Sequence, residues 1–535
     1  MKSFPRTAAP ETAITLKPLP SLWNQTQRLG TREVSILVAI LIGSWASATN
    51  AQSTWQPTAA GIYSWNSNGN WSSGTFPNAA GEIATWGNIT GAQTAQLNQN
   101  VTVGELTLGD STSTFFAVSI EPGSLSTATL NFDHTAGNAV LTSRGGANSI
   151  TSAVNLIDTV NMTTNTTLLL SGAISGSGGI LKNGTLNLTL SGTNTFSGGI
   201  TASSGRININ SAGALGTGTL VMDGGALDNT SGAPITVSTN NSIALNTNVT
   251  FAGTNSLNLG TGSFSLGASN RTISVTDAAA TLTIGGVVSG TGALTKAQGG
   301  SLLLTGASNY TGATTVNSGT LMISGSLGNT NTTVNGTNGG RFILSGNGTT
   351  GTGTVSINSG AVLGASDSAV NATIGGTTAI ASGGFLGTLN STADRLNFSG
   401  ATASVLNISG AVAASSSASL IFQLGATGIN DSFQLTNASG SLNIGSGTLN
   451  WDDFSFSTLA GFTGVGTYTL FDTGAAIVGT LGSTLSGAIG GSTGTLSILN
   501  GQDLILTVVP EPSTWALLTT GLVATILLRR RRSRR

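Results

Sequence analysis

Two stretches of this chain carry the same pattern. Residues 179–209 read GILKNGTLNLTLSGTNTFSGGITASSGRINI, and residues 293–323 read ALTKAQGGSLLLTGASNYTGATTVNSGTLMI; the two align without a gap at an offset of 114 residues. In both, apolar and polar side chains alternate over short runs, which is the pattern of strands with one buried face. Turn-forming Gly, Ser and Asn clusters separate these runs. Repeats on this scale indicate a solenoid, in which each unit buries its apolar edge against the next.

The composition of the whole chain agrees with such a fold. Its 535 residues include 77 glycines and no cysteine, and only 7% are charged. Without disulfides, stability has to come from burial and hydrogen bonding. Stacked coils of roughly 20–25 residues would place Val, Ile and Leu inside, with Asn and Thr in outer ladders. A β-sandwich or propeller also suits short strands, but it suits the irregular spacing and the glycine density less well.

The repeated stretches resemble the autotransporter-associated β-strand repeat, which contains a Gly-Leu-x-Lys section and a central Asn-x-(Phe/Tyr)-(Ser/Thr)-Gly section. Lys182 and Lys296 stand at the lysine position, and residues 194–198 and 308–312 fill the central section, although Asn309 comes one position late. The resemblance implies a right-handed parallel β-helix. We therefore predict an all-β chain, a β-solenoid at residues 111–382, with an N-terminal signal helix and a short C-terminal transmembrane helix.

Glycines at equivalent places in the repeats are candidates for positions with special backbone requirements. Gly192 and Gly306 each follow a predicted strand at the same place in their repeat. If either has a positive φ, a β-branched replacement should destabilise the fold by about 1–2 kcal/mol.

The C-terminal residues form a three-part segment. It consists of Val509, Pro510, Glu511 and Pro512, an apolar run at 515–528, and Arg529, Arg530, Arg531 and Arg532. The prolines keep the first part extended. The 14-residue apolar run is shorter than the ~20 residues of an ordinary membrane-spanning helix, and the arginines favour the cytoplasmic side.

The order and spacing of these parts resemble the PEP-CTERM sorting signal, which we place at residues 509–535. The resemblance implies that exosortase, a membrane protease-transpeptidase, cleaves near Pro-Glu-Pro and releases the protein to the cell surface. Exosortase is then the processing partner, and the C-terminal segment contacts the membrane before processing. An ordinary C-terminal membrane anchor is the alternative.

The N-terminus also predicts export. Arg28 and Arg32 precede an apolar run at 34–42, and small residues follow it, with possible cleavage after Ala48 or Ala51. These are the features of a secretory signal peptide, which we assign to residues 1–51. The leader is unusually long, so a misplaced start or an uncleaved anchor stays open. The predicted location is the cell surface, the outer membrane or the extracellular space.

Two further segments differ in aromatic content. Residues 52–110, predicted as an N-terminal cap, contain Trp55, Trp65, Trp71 and Trp86, and residues 383–508, predicted as terminal β coils and a cap, contain more Phe and Tyr. Tryptophans can cover the open end of a solenoid. Aromatic faces also stack on sugars, so Trp65 and Trp71 are possible glycan contacts.

The net charge and the small number of potentially catalytic or metal-binding side chains argue against several classes of function. Outside the terminal segments, seven scattered basic and sixteen acidic residues give a net charge of −9, which argues against a nucleic-acid partner. His134 is the lone histidine, and no metal-binding motif or cofactor motif is present. We expect no metal, no cofactor and no catalytic residue. Asp431, Asp452 and Asp453 are candidate carboxylates for glycoside hydrolysis or calcium, but surface acids are the favoured interpretation.

The sequence thus predicts an exported, non-enzymatic β-solenoid of the cell surface or extracellular matrix. Its predicted function is structural or adhesive, in association with exopolysaccharide or biofilm. The alternative is a polysaccharide-active β-helix enzyme, either a lyase or a glycoside hydrolase. A groove that combines clustered acids with a basic residue would favour that alternative.

Overall fold

The structure is a computed structural model. It describes residues 51–110, 116–366, 372–387, 395–398, 405–408, 419–435, 438–511 and 522–530. The predicted signal peptide and its helix lie outside these residues, apart from Ala51. The described residues from Gln52 onward belong to one compact unit.

The first strands include the tryptophan-rich segment and lead into the first repeat. They are β1 (Gln52–Trp55), β2 (Gly61–Ser64), β3 (Ile83–Trp86), β4 (Gln93–Leu97), β5 (Val101–Val103), β6 (Glu105–Leu108), β7 (Val118–Pro122), β8 (Thr129–Phe132), β9 (Ala139–Ser143), β10 (Asn148–Ile150), β11 (Ala153–Leu156), β12 (Val160–Thr164), β13 (Leu168–Leu170) and β14 (Ile174–Gly176). A 3₁₀ turn, Asn68–Asn70, lies between β2 and β3.

The strands of the two repeats and the coils around them come next. They are β15 (Ile180–Asn183), β16 (Asn187–Leu190), β17 (Ile200–Ala202), β18 (Arg206–Ile209), β19 (Leu220–Met222), β20 (Ala226–Asp228), β21 (Ile235–Thr236), β22 (Ile243–Leu245), β23 (Val249–Phe251), β24 (Leu257–Asn258), β25 (Phe264–Ser265), β26 (Arg271–Val275), β27 (Thr281–Ile284), β28 (Val288–Ser289), β29 (Leu294–Ala297), β30 (Ser301–Leu304), β31 (Thr314–Ile323), β32 (Thr332–Ser345), β33 (Thr349–Thr350), β34 (Val355–Ile357) and β35 (Val362–Ser366).

The remaining strands form the C-terminal part. They are β36 (Ala372–Ile374), β37 (Thr378–Ile380), β38 (Phe385–Leu386), β39 (Arg395–Phe398), β40 (Val405–Asn407), β41 (Leu420–Leu424), β42 (Ser432–Leu435), β43 (Ser441–Leu449), β44 (Phe454–Thr458), β45 (Gly466–Thr473), β46 (Val478–Leu481), β47 (Ser486–Ile489), β48 (Ser492–Leu499) and β49 (Asp503–Pro510). A second 3₁₀ turn, Trp451–Asp453, precedes β44. Residues 522–530 form a short helix, α1.

Parallel pairing between successive coils confirms the predicted parallel β-helix. One continuous sheet has the order β1-β3-β6-β9-β12-β15-β17-β19-β22-β25-β28. Along it, Val160, Ile180, Ile200, Leu220 and Ile243 are consecutive register partners, so the chain returns after 20, 20, 20 and 23 residues. These steps agree with the expected coil length.

Each repeat unit contributes stacked strands from two neighbouring coils. In the first, Ile180 pairs with Ile200 and Leu188 pairs with Ile207. The apolar side chains of such partners lie one above the other in the interior. Further along, one column contains the fully buried residues Leu302, Leu321, Phe342, Leu363 and Leu386. Burying each such side chain contributes about 1.5–3 kcal/mol, so the columns are the main source of stability.

The outer face carries the predicted polar ladders. The Asn335 amide donates to Asn317 Oδ1 at 2.9 Å, and the Asn358 amide donates to Asn335 Oδ1 at 2.7 Å. Because equivalent asparagines recur at the same register in neighbouring coils, the central Asn335 amide serves as both donor and acceptor. This arrangement satisfies polar groups along the stack and favours one register.

Gly192 and Gly306 are required for a different reason from the one that the sequence suggested. Neither has a positive φ. A Cβ on Gly192 would instead lie 2.3 Å from the carbonyl oxygen of Gly172, and a Cβ on Gly306 would lie 2.3 Å from that of Gly286. The corner of one coil therefore lies directly against the corner of the next, and the contact between coils excludes a side chain.

The stack of parallel strands ends in an antiparallel cap. The sheet β33-β36-β39-β42-β45 is parallel, and it continues into β49, β48 and β47 through antiparallel pairs. Phe422, Phe433 and Phe471 pack under this sheet, with ring centroids 5.3–5.6 Å apart. The parallel coils thus continue into the predicted C-terminal segment, and the aromatic residues fill its interior.

Candidate sorting site and end caps

The final strand connects the cap with the proline-containing segment. β49 lies between β45 and β48, and Val508 is paired on both sides, with Gly466 and Gly494. Val509 and Pro510 pair only with Thr493 and Ser492 of β48. The side chain of Val508 is 1% exposed, whereas that of Val509 is 50% exposed. The boundary between the interior and the surface falls between these two valines.

The structure describes Pro510, Glu511, Arg529 and Arg530 of the rest of the segment. Pro510 is the last residue of β49, and it has no backbone N–H to extend the ladder. Glu511 follows and is exposed. Arg529 and Arg530 are exposed residues of α1, while Pro512, Arg531 and Arg532 lie outside the described residues. Within the described ranges, the structure contains no helix with the length and apolar character needed to cross a membrane.

Four tryptophans fill the interior of the first coils. Trp55 packs against Trp71 and Trp86, with ring centroids 4.9 and 5.0 Å apart, and Trp65 packs against Trp71 at 4.7 Å. Trp65 is 0% exposed and Trp71 is 2% exposed. Both ring faces of these two residues are covered by protein, so a sugar could not stack on them without displacing neighbouring groups.

The polar edges of the tryptophans are also satisfied. Trp55 and Trp86 both donate from Nε1 to Gln93 Oε1, at 2.9 and 3.2 Å. The Gln93 amide donates in turn to the carbonyl oxygens of Pro57 and Ala59. The indole N–H groups of Trp65 and Trp71 donate to the carbonyl oxygens of Pro77 and Trp65. This cluster combines large apolar area with complete hydrogen bonding, as a stable end cap needs.

The structure reveals a function for the repeat lysines that sequence reasoning missed. Lys182 Nζ donates to the carbonyl oxygens of Asn183, Gly184 and Ser204 at 2.9–3.1 Å. Lys296 Nζ donates to those of Ala297, Gln298 and Ser318 at 2.7–3.1 Å. Both side chains are 0% exposed, and burial lowers the pKa of each to about 8.

Each lysine joins the corner of its own coil to the corner of the next. The three acceptors match the three donors of an ammonium group, so every N–H of the buried ammonium is hydrogen-bonded. The signal was present in the sequence, because Lys182 and Lys296 recur 114 residues apart within apolar surroundings.

The candidate catalytic residues have structural partners. His134 accepts the Ala136 N–H at Nδ1, and its Nε2 lies 3.9 Å from Glu105. Asp431 accepts the N–H of Gln423, and Asp453 accepts that of Asn450 at the start of a 3₁₀ turn. Burial raises the pKa of Asp453. In the described part of the chain, no group of three or more His, Asp or Glu side chains could hold a metal ion.

A polar groove lies on the outer face of the C-terminal sheet. Its volume is about 310 Å³, and it is lined by Arg395, Gly428, Asn430, Ser432, Gln434, Thr467, Thr469, Asp472 and Asp503. Asp472 and Asp503 stand opposite each other across β45 and β49, as the pairing of Phe471 with Leu504 requires. Gln434 donates to Asp472 at 3.0 Å, and Asp503 accepts the Thr473 N–H at 3.1 Å.

Arg395 is not paired with these acids. Elsewhere in the solenoid, Arg206 forms an ion pair with Asp228 at 3.2 Å, and His134 lies 3.9 Å from Glu105. The groove therefore holds two carboxylates and a guanidinium without direct neutralisation. A groove that combines acids with a basic residue favours the enzyme alternative. Its acids are not Asp431, Asp452 or Asp453, the candidates that the sequence suggested.

Comparisons with known proteins find matches in two parts of the chain, the repeats and the C-terminal segment. Residues 180–209 and 294–323 match the passenger-associated-transport-repeat family, and residues 508–532 match the PEP-CTERM protein-sorting motif. No curated protein and no solved structure matches the chain.

The fold and these matches define the class of protein. The chain is a repeat protein built as a β-solenoid, and its C-terminal motif is a sorting signal of the type processed by exosortase. It is therefore an exported protein of the cell surface or extracellular space. Both family resemblances inferred from the sequence are confirmed.

Proposed function

We propose that this chain is a non-enzymatic, structural or adhesive β-solenoid that exosortase delivers to an exopolysaccharide-rich cell surface or matrix. The observation that carries the proposal is that the sorting motif at 508–532 begins within the last strand of the solenoid cap, Asp503–Pro510. A body of stacked, capped coils suits a structural protein that is displayed at a surface. Its outer asparagine ladder offers amide groups to a hydrated polysaccharide.

The sorting part of the proposal can be tested by fractionation. Chains with Glu511→Ala or with Arg529 and Arg530 replaced by Ser should accumulate in the membrane fraction, whereas the wild type should reach the surface or medium with a shortened C-terminus. A matched control is Glu105→Ala, which removes an acid outside the motif. Normal release and shortening of both motif variants would contradict processing by exosortase.

The proposed adhesive function can be tested by measuring polysaccharide binding separately from thermal stability. Replacing Trp65 and Trp71 by Ala should lower the melting temperature, because both rings are buried. At temperatures well below that transition, retention on extracted exopolysaccharide should equal that of the wild type. Loss of retention by a fully folded variant would instead assign these tryptophans to glycan contact. Absence of retention by the wild type would remove the adhesive function and leave the structural one.

The groove at Arg395 supports one second candidate, the polysaccharide-active enzyme. Opposed carboxylates such as Asp472 and Asp503 are the groups that glycoside hydrolases use, and a guanidinium can bind a uronic acid carboxylate. The test is release of reducing ends or unsaturated products from extracted polysaccharide. We expect none. Turnover by the wild type that is lost in Asp472→Asn and Asp503→Asn, but kept in Asp452→Asn, would establish the enzyme instead.

A further inference from the structure

We propose that the folded C-terminal cap sets the N-terminal limit of processing, so that exosortase cuts after Pro510 and not before it. This inference rests on the proposed sorting function and adds a position to it. The sorting motif matched at 508–532 overlaps the last strand, Asp503–Pro510. The first residues of the motif are therefore part of the fold.

The backbone becomes more accessible to a protease in three steps between Val508 and Glu511. Up to Val508, β49 is paired with β45 on one side and with β48 on the other, and the Val508 side chain is buried. Val509 and Pro510 are held on one side only, by Thr493 and Ser492. Glu511 follows the last paired residue and is exposed.

A protease requires its substrate in an extended, unpaired form, because the enzyme must contact the backbone groups beside the scissile bond. Cleavage before Pro510 would therefore require the backbone at Val508 to leave both neighbouring strands, because Val508 would then lie within the segment that the enzyme contacts. Such opening is rare when a segment belongs to a well-packed element. The bonds after Pro510 need no opening of the doubly paired part.

The chemistry of the step is ordinary amide cleavage. The C–N bond breaks, the carbonyl carbon on the cap side passes to water or to the amine of an acceptor molecule, and the departing amine takes up a proton. In either case the cap keeps β49 from Asp503 to Pro510, and the released protein retains a closed end.

The first experiment is mass spectrometry of the mature C-terminus from cells that contain exosortase. The expected mature chain ends at Pro510 or at a later residue. A mature chain that ends at Val509, or at any residue before it, would overturn the inference while leaving sorting intact. A chain that stays full-length and membrane-bound would overturn the sorting function and this inference with it.

The second experiment weakens the cap. Leu506 is fully buried in β49, whereas the neighbouring Thr507 is half-buried on the outer face. Leu506→Asp should produce additional C-termini upstream of Val509, and Thr507→Asp should keep the wild-type terminus. If Leu506→Asp loosens the cap, as measured by hydrogen exchange of residues 492–508, and the cut position does not change, the cap does not set the limit. If that variant is degraded, Leu506→Ala supplies the same comparison with a milder loss.

Discussion

Lys182 and Lys296 show how one side chain can connect two coils. Each ammonium group occupies the interior of a corner and meets three carbonyl oxygens, two from its own coil and one from the next. The repeat pattern predicted that lysine belongs at this position, but not why. Hydrogen bonding to backbone carbonyls depends on how corners stack, and that information lies outside any local pattern of apolar and polar residues.

Removing one of these lysines should destabilise the solenoid. Lys296→Met keeps the aliphatic length but removes three hydrogen bonds that connect two adjoining corners, and we expect a loss of about 2–3 kcal/mol. Thermal and urea unfolding would measure it. Thr295→Met, on the outward side of the same strand, is the control and should change stability little. Equal stability of Lys296→Met and the wild type would contradict the bridging role.

The same lysines predict how stability depends on pH. Their pKa is about 8 in the folded chain and near 10.5 when unfolded. Below pH 8 both states are protonated, and the folded state bears the full cost of burying two cations. Above pH 8 the folded state releases protons first, so the free energy of unfolding should rise with pH. Melting between pH 7.5 and 9.5, below the usual tyrosine range, should show this rise.

The double variant Lys182→Met with Lys296→Met provides the control for the pH series. It should be less stable throughout and should lack the rise between pH 8 and 9.5. A rise of the same size in the double variant would assign the effect to other groups.

Gln298 occupies a backbone position that the first repeat gives to glycine. Its φ is +65°, and its equivalent Gly184 has a φ of +80°. A non-glycine residue in this region is strained, so Gln298→Gly should stabilise the chain by about 1 kcal/mol. The reverse change, Gly184→Gln, should be destabilising by more than that, because a Cβ there would lie 2.6 Å from the Thr164 backbone. Chemical unfolding would measure the free energy of unfolding of both variants. A Gln298→Gly variant less stable than the wild type would contradict the strain argument.

At the scale of elements, the tryptophan cluster acts as a unit in which Gln93 is the central polar group. The sequence predicted a cap from the number of tryptophans in residues 52–110. It could not identify Gln93, because a single glutamine 38 residues from Trp55 gives no local signal of a shared hydrogen bond. The cap strands β1, β3 and β6 also stack in the same sheet as the later coils, so the cluster covers the end of a continuous column.

Gln93→Leu should loosen the first coils selectively. It removes the acceptor of two indole N–H groups and the donor to two carbonyls, at a cost of about 2–3 kcal/mol. Because solenoid coils contact mainly their neighbours, the effect should be local. Hydrogen exchange should show faster exchange in residues 52–97 and unchanged exchange in residues 294–323. Uniform loss of protection along the chain would show that the cap and the coils unfold together.

At the scale of the whole molecule, the alternation of short strands and the gapless repeat predicted stacked coils of about the observed length, and the family resemblance supplied their parallel direction. The antiparallel cap was less predictable, because β48 and β49 alternate apolar and polar residues just as the coils do. Only their pairing partners differ, and pairing direction is a property of the complete fold. The groove at Arg395 was missed for the same reason, since β39, β42, β45 and β49 bring its residues together across more than 100 positions of the sequence.

The cap also predicts where the chain can be shortened. A secreted form ending at Pro510 keeps β49 complete and should be a folded, β-rich protein by circular dichroism, with an unchanged melting temperature. Ending at Val508 removes only the singly paired residues and should lower the melting temperature slightly. Ending at Gln502 removes β49, which lies between β45 and β48, and uncovers Tyr468 of β45 and Leu496 of β48, the buried register partners of Leu506. That form should aggregate through its open sheet edge. If it were as soluble and as stable as the Pro510 form, β49 would not be part of the closure of the solenoid.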